Sequence, residues 1–251
     1  MPKIRSKRIY TRVVIPDTHA NLHDEKAISL VCDVLSQIHV DELIILGDFW
    51  EIYSLSSHAK DPRKDPALLS YEIELGRVVL EKIIVAAKAR RMFFLEGNHE
   101  NRISRYIRNL APKLYGSFST PELLKLPSDM FFLPYGQKQH LKCGKKLVCL
   151  HGAYTNRWHT AKHRENFGTS VVYGHTHQVQ VSHSKNVYGD VHYGISLGWL
   201  GDEPKVAEYI NGVPQWDKAF GIFYFRPDDS FFFDVVRVQN DELIFQGKLY
   251  Q

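Results

Sequence analysis

Short polar motifs follow five apolar runs of this chain, and this arrangement constrains the fold more than any other feature of the sequence. The motifs are Asp17-Thr18-His19, Gly47-Asp48, Gly97-Asn98-His99-Glu100, His151-Gly152 and Gly174-His175-Thr176-His177. The apolar runs before them predict buried strands of a parallel sheet. Because ligands of open α/β sheets gather beyond the carboxyl ends of the strands, the motifs predict a two-metal site at one edge of the sheet.

The side chains in these motifs are those that bind divalent metal ions. Carboxylate oxygen, amide oxygen and neutral imidazole nitrogen suit hard and borderline cations. Glycine at 47, 97, 152 and 174 lets the backbone turn sharply beside such a site. A single histidine is more often an ordinary surface or core residue, so the prediction depends on the joint pattern.

Together the motifs resemble the signature of the calcineurin-like metallophosphoesterases, over residues 17–177 of the chain. The resemblance implies a first metal ion bound by Asp17, His19 and His177, a bridging carboxylate from Asp48, and a second metal ion bound by Asn98, His151 and His175. It also implies that His99 is catalytic and assists the leaving group, while Asp48 serves catalysis by holding both ions. Glu100 is expected to fix the tautomer of a neighbouring imidazole ring.

The resemblance further implies two divalent metal ions as cofactors, with Mn²⁺ expected first and Fe, Zn, Ni or Co as alternatives. The expected activity is that of a phosphodiesterase or nuclease, in which a hydroxide bridging the metals hydrolyses nucleic acid or nucleotide phosphodiesters. A phosphomonoesterase acting on a small molecule or a phosphoprotein is the alternative. A non-catalytic scaffold of the same fold is weaker still, because such a protein is expected to lack metal ligands or His99.

Substrate contacts are predicted at two positions, Arg102 and Trp50. Arg102 begins the helix after the third motif and could pair with a phosphate. Trp50 follows Asp48 and could stack on a base, as could Tyr53, Trp158 and Trp199. Trp50 also opens a polar insertion at about 50–66, with His58, Lys60, Arg63 and Lys64, which fits a lid or a nucleic-acid groove as well as an ordinary loop.

The remaining pattern predicts a single α/β domain over residues 1–251. Helical periodicity covers residues 24–38, 68–91 and a segment from 103 that Pro112 stops. Aromatic and β-branched runs at 219–226, 231–238 and 242–249 predict a C-terminal β-meander. With the resemblance, the expected fold is a metallophosphoesterase-type sandwich of mixed β-sheets flanked by helices.

Net charge, cysteine content and hydropathy limit the classes of partner and the cellular location that we expect for this protein. A net charge of +4 permits a phosphate-rich partner such as DNA, RNA or a nucleotide without requiring one. The 3 cysteines are odd in number and lie in or beside apolar stretches, which favours reduced thiols and a cytoplasmic protein. The apolar runs are too short for a membrane helix, so no membrane association is expected. The oligomeric state stays open, with a homodimer among the alternatives.

His159 and His163 lie four residues apart on a predicted helix and therefore share one face. They could contact substrate or a partner, but ordinary structural roles are the favoured interpretation.

Overall fold

The computed structural model describes residues 8–56, 68–136, 138–206 and 213–251. In chain order its strands are β1 Tyr10–Ile15, β2 Glu42–Ile45, β3 Arg91–Leu95, β4 Met130–Leu133, β5 Leu141–Cys143, β6 Leu147–Cys149, β7 Ser170–Tyr173, β8 Val179–Lys185, β9 Val191–Leu197, β10 Lys218–Phe225, β11 Phe231–Val238, β12 Leu243–Phe245 and β13 Lys248–Tyr250. The helices are α1 Glu25–Gln37, α2 Leu69–Ala87, α3 Asn101–Leu110, α4 Thr120–Leu123, α5 His159–Phe167 and α6 Glu203–Val206, with 3₁₀ turns at Tyr53–Leu55 and Pro112–Leu114.

Strands β1 to β11 form two mixed sheets. The first has the order β11-β10-β1-β2-β3-β4, and the second has the order β5-β6-β7-β9-β8. β1 to β4 run parallel to one another, while β10 is antiparallel to β1. In the second sheet β6, β7 and β9 are parallel. Each sheet therefore presents a row of carboxyl strand ends.

Strand alternation divides the core into two apolar layers. In β1, Val13 and Ile15 pack toward the helices, whereas Val14 joins the cluster between the sheets. In α1, Asp24 caps the first turn by accepting a hydrogen bond from the Ala27 N–H at 3.0 Å. Helices α1 and α2 pack against each other and share an apolar cluster with β1 and β2 of the first sheet. Helix α5 packs on the second sheet against β7, β8 and β9. The expected sandwich of mixed sheets flanked by helices is confirmed.

Two local expectations need correction. The predicted helix over 68–91 ends at Ala87, because Lys88 adopts a left-handed conformation at φ 46° and Arg91 already belongs to β3. Only two runs of the predicted meander, β10 and β11, pair in the large sheet. The third run folds back on itself as the β12–β13 hairpin. Residues 57–66 of the predicted insertion, including His58, Lys60, Arg63 and Lys64, lie outside the described residues.

Two further observations concern the cysteines and the membrane. Cys143 and Cys149 are buried free thiols whose Sγ atoms lie 3.3 Å apart across the β5–β6 pair. Within the described ranges, no helix has the length and apolar character needed to cross a membrane.

Candidate metal centre

The five polar motifs meet where the carboxyl ends of the two sheets face each other. Strands β1, β2 and β3 of the first sheet lead into the first three motifs, and β6 and β7 of the second sheet lead into the other two. The expectation that one sheet edge carries all five motifs is therefore wrong. Parallel pairing of β1, β2 and β3 aligns three strand ends, and packing of the second sheet brings the remaining two opposite them.

The first group of predicted ligands comprises Asp17, His19 and His177. One ligand atom from each lies within 4.8 Å of those of the other two. Nε2 of His19 lies 3.1 Å from Nε2 of His177, which in turn lies 3.8 Å from Oδ1 of Asp17. The backbone N–H of His175 donates to Oδ2 of Asp17 at 2.7 Å, which holds the carboxylate in place.

The second group contains Asp48, His151 and His175, with Asn98 beside them. Asp48, His151 and His175 likewise offer ligand atoms within 4.8 Å of one another. Nε2 of His151 lies 2.9 Å from Oδ1 of Asn98 and 3.3 Å from Oδ2 of Asp48. Nδ1 of His151 donates to the carbonyl oxygen of Leu46 at 2.9 Å, which leaves Nε2 free to face the group.

The backbone around these ligands adopts unusual conformations. His19, Asp48, His175 and His177 all have positive φ, between 46° and 66°. Non-glycine residues seldom adopt this left-handed region, and such residues cluster at functional sites. Gly97 and Gly174 are needed for close approach, because a Cβ on either residue would overlap Asp48 or Asp17, respectively. The local conformation thus serves the placement of the ligands.

Glu51 joins the site although the sequence assigned it no role. Its Oε2 lies 2.7 Å from Nδ1 of His19 and 3.0 Å from Nδ1 of His99. The Arg102 guanidinium donates to the Glu51 carbonyl oxygen at 2.6 Å, and lies 3.2 Å from both the Glu51 carboxylate and Nε2 of His99. The sequence could have indicated this contact, because Glu51 is an acidic residue only three positions after Asp48 in the same loop.

Charges inside the site are strongly coupled. Burial opposes ionisation of Asp48, but the neighbouring imidazoles of His151 and His99 hold the pKa of Asp48 well below its usual range. Burial lowers the pKa of His99, whereas Asp48 and Glu51 outweigh that effect and raise it to about 9. The His99 ring therefore carries a proton at neutral pH.

The donor set fits divalent metal ions. Burial raises the pKa of Asp17 to about 6, which means that its charged form is destabilised. A neighbouring cation would stabilise that charged form. Burial also lowers the pKa of His175 to about 4 and keeps the pKa of His177 well below its usual range, which leaves both rings in the neutral form that binds metals. Nδ1 of His175 is buried and has no hydrogen-bond partner among the described residues, as expected of a ligand atom.

Trp50 does not lie where the sequence predicts. It is fully buried, packs over Gly76 of α2, and donates from Nε1 to the Ile73 carbonyl oxygen at 3.2 Å. Its indole therefore has no free face for a base, and the predicted substrate contact is corrected to a core position. The apolar ring gains more from burial under α2 than from exposure beside the site.

Glu100 also differs from expectation. Its carboxylate accepts backbone N–H groups from Asp48, Trp50 and Gly97 at 2.8–2.9 Å. It is fully buried and makes no hydrogen bond to an imidazole ring among those the structure describes. Glu100 therefore shapes the loop that carries Asp48 and does not set the tautomer of a ligand.

His159 and His163 are buried, and His163 contacts the loop that follows His151. His163 is fully buried, stacks on Tyr173 at 3.9 Å between ring centroids, and accepts the backbone N–H of Ala153 at 3.0 Å. His159 is buried as well, with Nδ1 2.5 Å from the Tyr173 hydroxyl oxygen. These contacts favour the structural interpretation over a contact with substrate.

A pocket of about 290 Å³ opens beside the first ligand group. It is lined by His19, Leu22, Glu51, Tyr53, Ser56, His99, Arg102, His177, Trp199, Val206 and Trp216. Arg102, Tyr53 and Trp199 line this pocket, whereas Trp158 is exposed and lies outside it, so contact of the first three with substrate stays a prediction. Arg105 and Arg108 are exposed on α3. Trp216 carried no signal in the sequence, because it follows no motif.

Comparison with known proteins identifies relatives over most of the chain. Two relatives are each called "Gene 54 protein", from Mycobacterium phages D29 and L5. They are 27% identical over 233 and 239 residues, and each match covers 86% of this chain and 88% of the relative. The solved structure of vacuolar protein sorting 29 from Cryptosporidium parvum matches with a TM-score of 0.47 and 13% identity, over 97% of this chain and 96% of that one.

The family model described as calcineurin-like phosphoesterase matches residues 10–203. This range contains all five polar motifs and both ligand groups, so the protein belongs to the calcineurin-like phosphoesterase family.

Proposed function

We propose that this protein is a metal-dependent phosphodiesterase that hydrolyses phosphodiester bonds of a nucleotide or nucleic acid. The observation that carries the proposal is the convergence of both ligand groups on a site in which Nε2 of His99 lies 3.8 Å from Asp48. Asp17, His19 and His177 would hold one divalent ion and Asn98, His151 and His175 the other, with Asp48 between them. When bound, such ions supply Lewis-acid stabilisation of phosphate oxygens and activate water.

The chain's own residues provide orientation and a proton. Glu51 accepts Nδ1–H of His99, so the Nε2 side of the ring faces Asp48 at 3.8 Å and Arg102 at 3.2 Å. From there, Nε2–H can protonate a departing alkoxide oxygen, which poor leaving groups require. Arg102 lies beside His99 and can pair with a phosphate oxygen on the same side.

A diester substrate is favoured over a monoester by the surroundings of His99. A diester carries one negative charge and a second organic substituent, whereas a monoester carries close to two charges and no such substituent. The pocket beside His99 exposes mostly apolar surface, and the two cationic side chains among its described residues, His99 and Arg102, lie side by side. This environment suits a second substituent better than a second charge.

The proposal is tested with metal-stripped protein reloaded with Mn²⁺, the ion expected to support turnover. Hydrolysis of bis(p-nitrophenyl) phosphate is compared with that of p-nitrophenyl phosphate and of short single- and double-stranded DNA. Faster diester hydrolysis is the expected result, and cleavage of DNA would extend the proposal to a nuclease. Preference for the monoester with intact DNA would replace it with a phosphomonoesterase. Absence of turnover with two metal ions bound per chain would indicate a scaffold.

A further inference from the structure

Three aromatic rings form one wall of the pocket beside His99. His177 and Trp199 are stacked with ring centroids 5.0 Å apart and an interplanar angle of 12°. Trp216 meets both rings edge-on, at 4.8 Å from each centroid. Trp199 is almost fully buried, whereas Trp216 is half-buried and leaves part of its indole toward the pocket that it lines.

The wall is held by hydrogen bonds to Asp217, the residue after Trp216. The Asp217 N–H donates to the His177 carbonyl oxygen at 2.9 Å, and its own carbonyl oxygen accepts the Trp199 N–H at 3.0 Å. Its carboxylate accepts the N–H of Val179 at 2.9 Å. Trp216 is therefore tied to the two segments that carry His177 and Trp199, so its position is fixed relative to the predicted metal ligands.

The lining of the pocket combines two kinds of side chain. His19 and His177 are predicted metal ligands, and His99 lies 3.8 Å from Asp48, whereas Leu22 and Val206 are aliphatic. The Arg102 guanidinium donates to the Glu51 carbonyl oxygen, which fixes it beside His99. A molecule that carries both a phosphate and a flat apolar group matches this combination.

Size limits the occupant. The volume of about 290 Å³ lies just below the range of about 300–1,000 Å³ that small-molecule sites span. Flat aromatic walls stack any nucleobase, because every base presents a π-face. We propose that this pocket binds one nucleobase of the substrate, stacked against Trp216, while the attached phosphate lies at the metal centre; this rests on the proposed phosphodiesterase function and assigns its substrate class as nucleotides.

The inference is tested by equilibrium binding to the full-length, Mn²⁺-loaded protein, measured by isothermal titration calorimetry. AMP, ribose 5-phosphate and n-hexyl phosphate are the probes, because they share a phosphate and differ in what is attached. AMP should bind roughly 5- to 150-fold more tightly than ribose 5-phosphate, the range given by stacking of one base. Trp216→Ala should remove most of this difference, and Trp216→Phe should keep most of it.

Two controls make the result specific. Trp158 is an exposed tryptophan outside the pocket, so Trp158→Ala should leave all three affinities unchanged. Unchanged binding of ribose 5-phosphate to Trp216→Ala would show that the phosphate site has survived the substitution. If Trp216→Ala fails to fold, Trp216→Phe and the wild-type ratio of AMP to ribose 5-phosphate still test the pocket.

The outcomes separate this inference from the proposed function. Equal affinity for AMP and ribose 5-phosphate in an active phosphodiesterase would overturn the nucleobase pocket alone. A gain for n-hexyl phosphate as large as that for AMP would also overturn it, because the pocket would then take any apolar group. A Trp216-dependent preference for AMP in a protein that hydrolyses no diester would support the pocket while the proposed function fails.

Discussion

Oε2 of Glu51 lies 2.7 Å from Nδ1 of His19, so the loop that follows β2 orients a predicted metal ligand that follows β1. The same carboxylate oxygen lies 3.0 Å from Nδ1 of His99. Hydrogen bonds from both rings hold the pKa of Glu51 well below its usual range, against the effect of burial. One acid therefore fixes the tautomer of a ligand and orients the ring of the proposed proton donor.

Glu51→Gln should weaken Mn²⁺ binding by about 10- to 100-fold, because the amide lacks the negative charge that orients both rings and places an N–H donor against the Arg102 guanidinium. Calorimetric titration with MnCl₂ measures the affinity. Glu165→Gln is the matched control, since Glu165 is exposed on α5. Wild-type affinity in Glu51→Gln would remove Glu51 from the support of the metal centre.

Asp48→Asn should reduce diester hydrolysis at least about 100-fold, because a charge that positions both ions is lost. Oδ1 of Asp48 accepts the backbone N–H of His99 at 2.8 Å, and Oδ1 of an asparagine can accept the same N–H. The loop should therefore keep its shape. Metal content by plasma mass spectrometry should fall below two ions per chain. Asp33→Asn, on the exposed face of α1, should change neither quantity.

His99→Ala should keep both metal ions, since the two ligand groups are complete without His99. Turnover of substrates with alkoxide leaving groups should fall by about 10² to 10⁴, the usual contribution of a general acid. Hydrolysis of bis(p-nitrophenyl) phosphate should fall much less, because nitrophenolate leaves without a proton. The ratio of the two kcat/KM values tests this directly, and a parallel loss on both substrates would contradict a proton-donor role.

His163 should make the fold sensitive to acid. Burial lowers the pKa of His163 to about 4, below the value of about 6.5 expected in the unfolded chain. The unfolded state therefore binds the proton first as the pH falls, so this stability is fully present above about pH 6.5 and is lost progressively toward pH 4.

Between pH 7.5 and 5, His163 should account for about 2 kcal/mol of the decrease in unfolding free energy. Urea unfolding of metal-free protein at both pH values measures the decrease. His163→Gln should show a decrease smaller by that amount, whereas His183→Gln, at an exposed strand position, should behave as wild type. An unchanged pH dependence in His163→Gln would show that the buried ring titrates normally.

Gly76→Ala should destabilise the protein by about 1–3 kcal/mol, although alanine is the better helix former. A Cβ at position 76 would overlap the indole of Trp50, which is fully buried. Urea unfolding at neutral pH gives the free energy. Ser70→Ala, on the exposed side of α2, should change it by less than about 0.5 kcal/mol. A free energy of unfolding for Gly76→Ala above that of the wild type would mean that the Trp50 ring can move at little energetic cost.

The sequence by itself determined the features that depend on neighbouring residues. Continuous apolar runs such as Val13, Val14 and Ile15 specify strands that are buried on both faces, and the polar residues that follow them mark the strand ends. Helix α1 and its Asp24 cap follow from periodicity and capping, which act within a few residues. The predicted ligands could be named because each lies directly after a strand, and resemblance to a family grouped them into two sets.

Tertiary structure alone decided the contacts between distant segments. The division of the strands between two sheets depends on packing of both sheets, which no local pattern encodes. Trp50 lies two residues after Asp48, yet its ring packs in the core, where the absence of a Cβ at Gly76 of α2 leaves room for it. Trp216 reaches the site because Asp217 binds the backbone of both His177 and Trp199. Burial and long-range hydrogen bonding are properties of the packed chain, so these positions emerge only after folding.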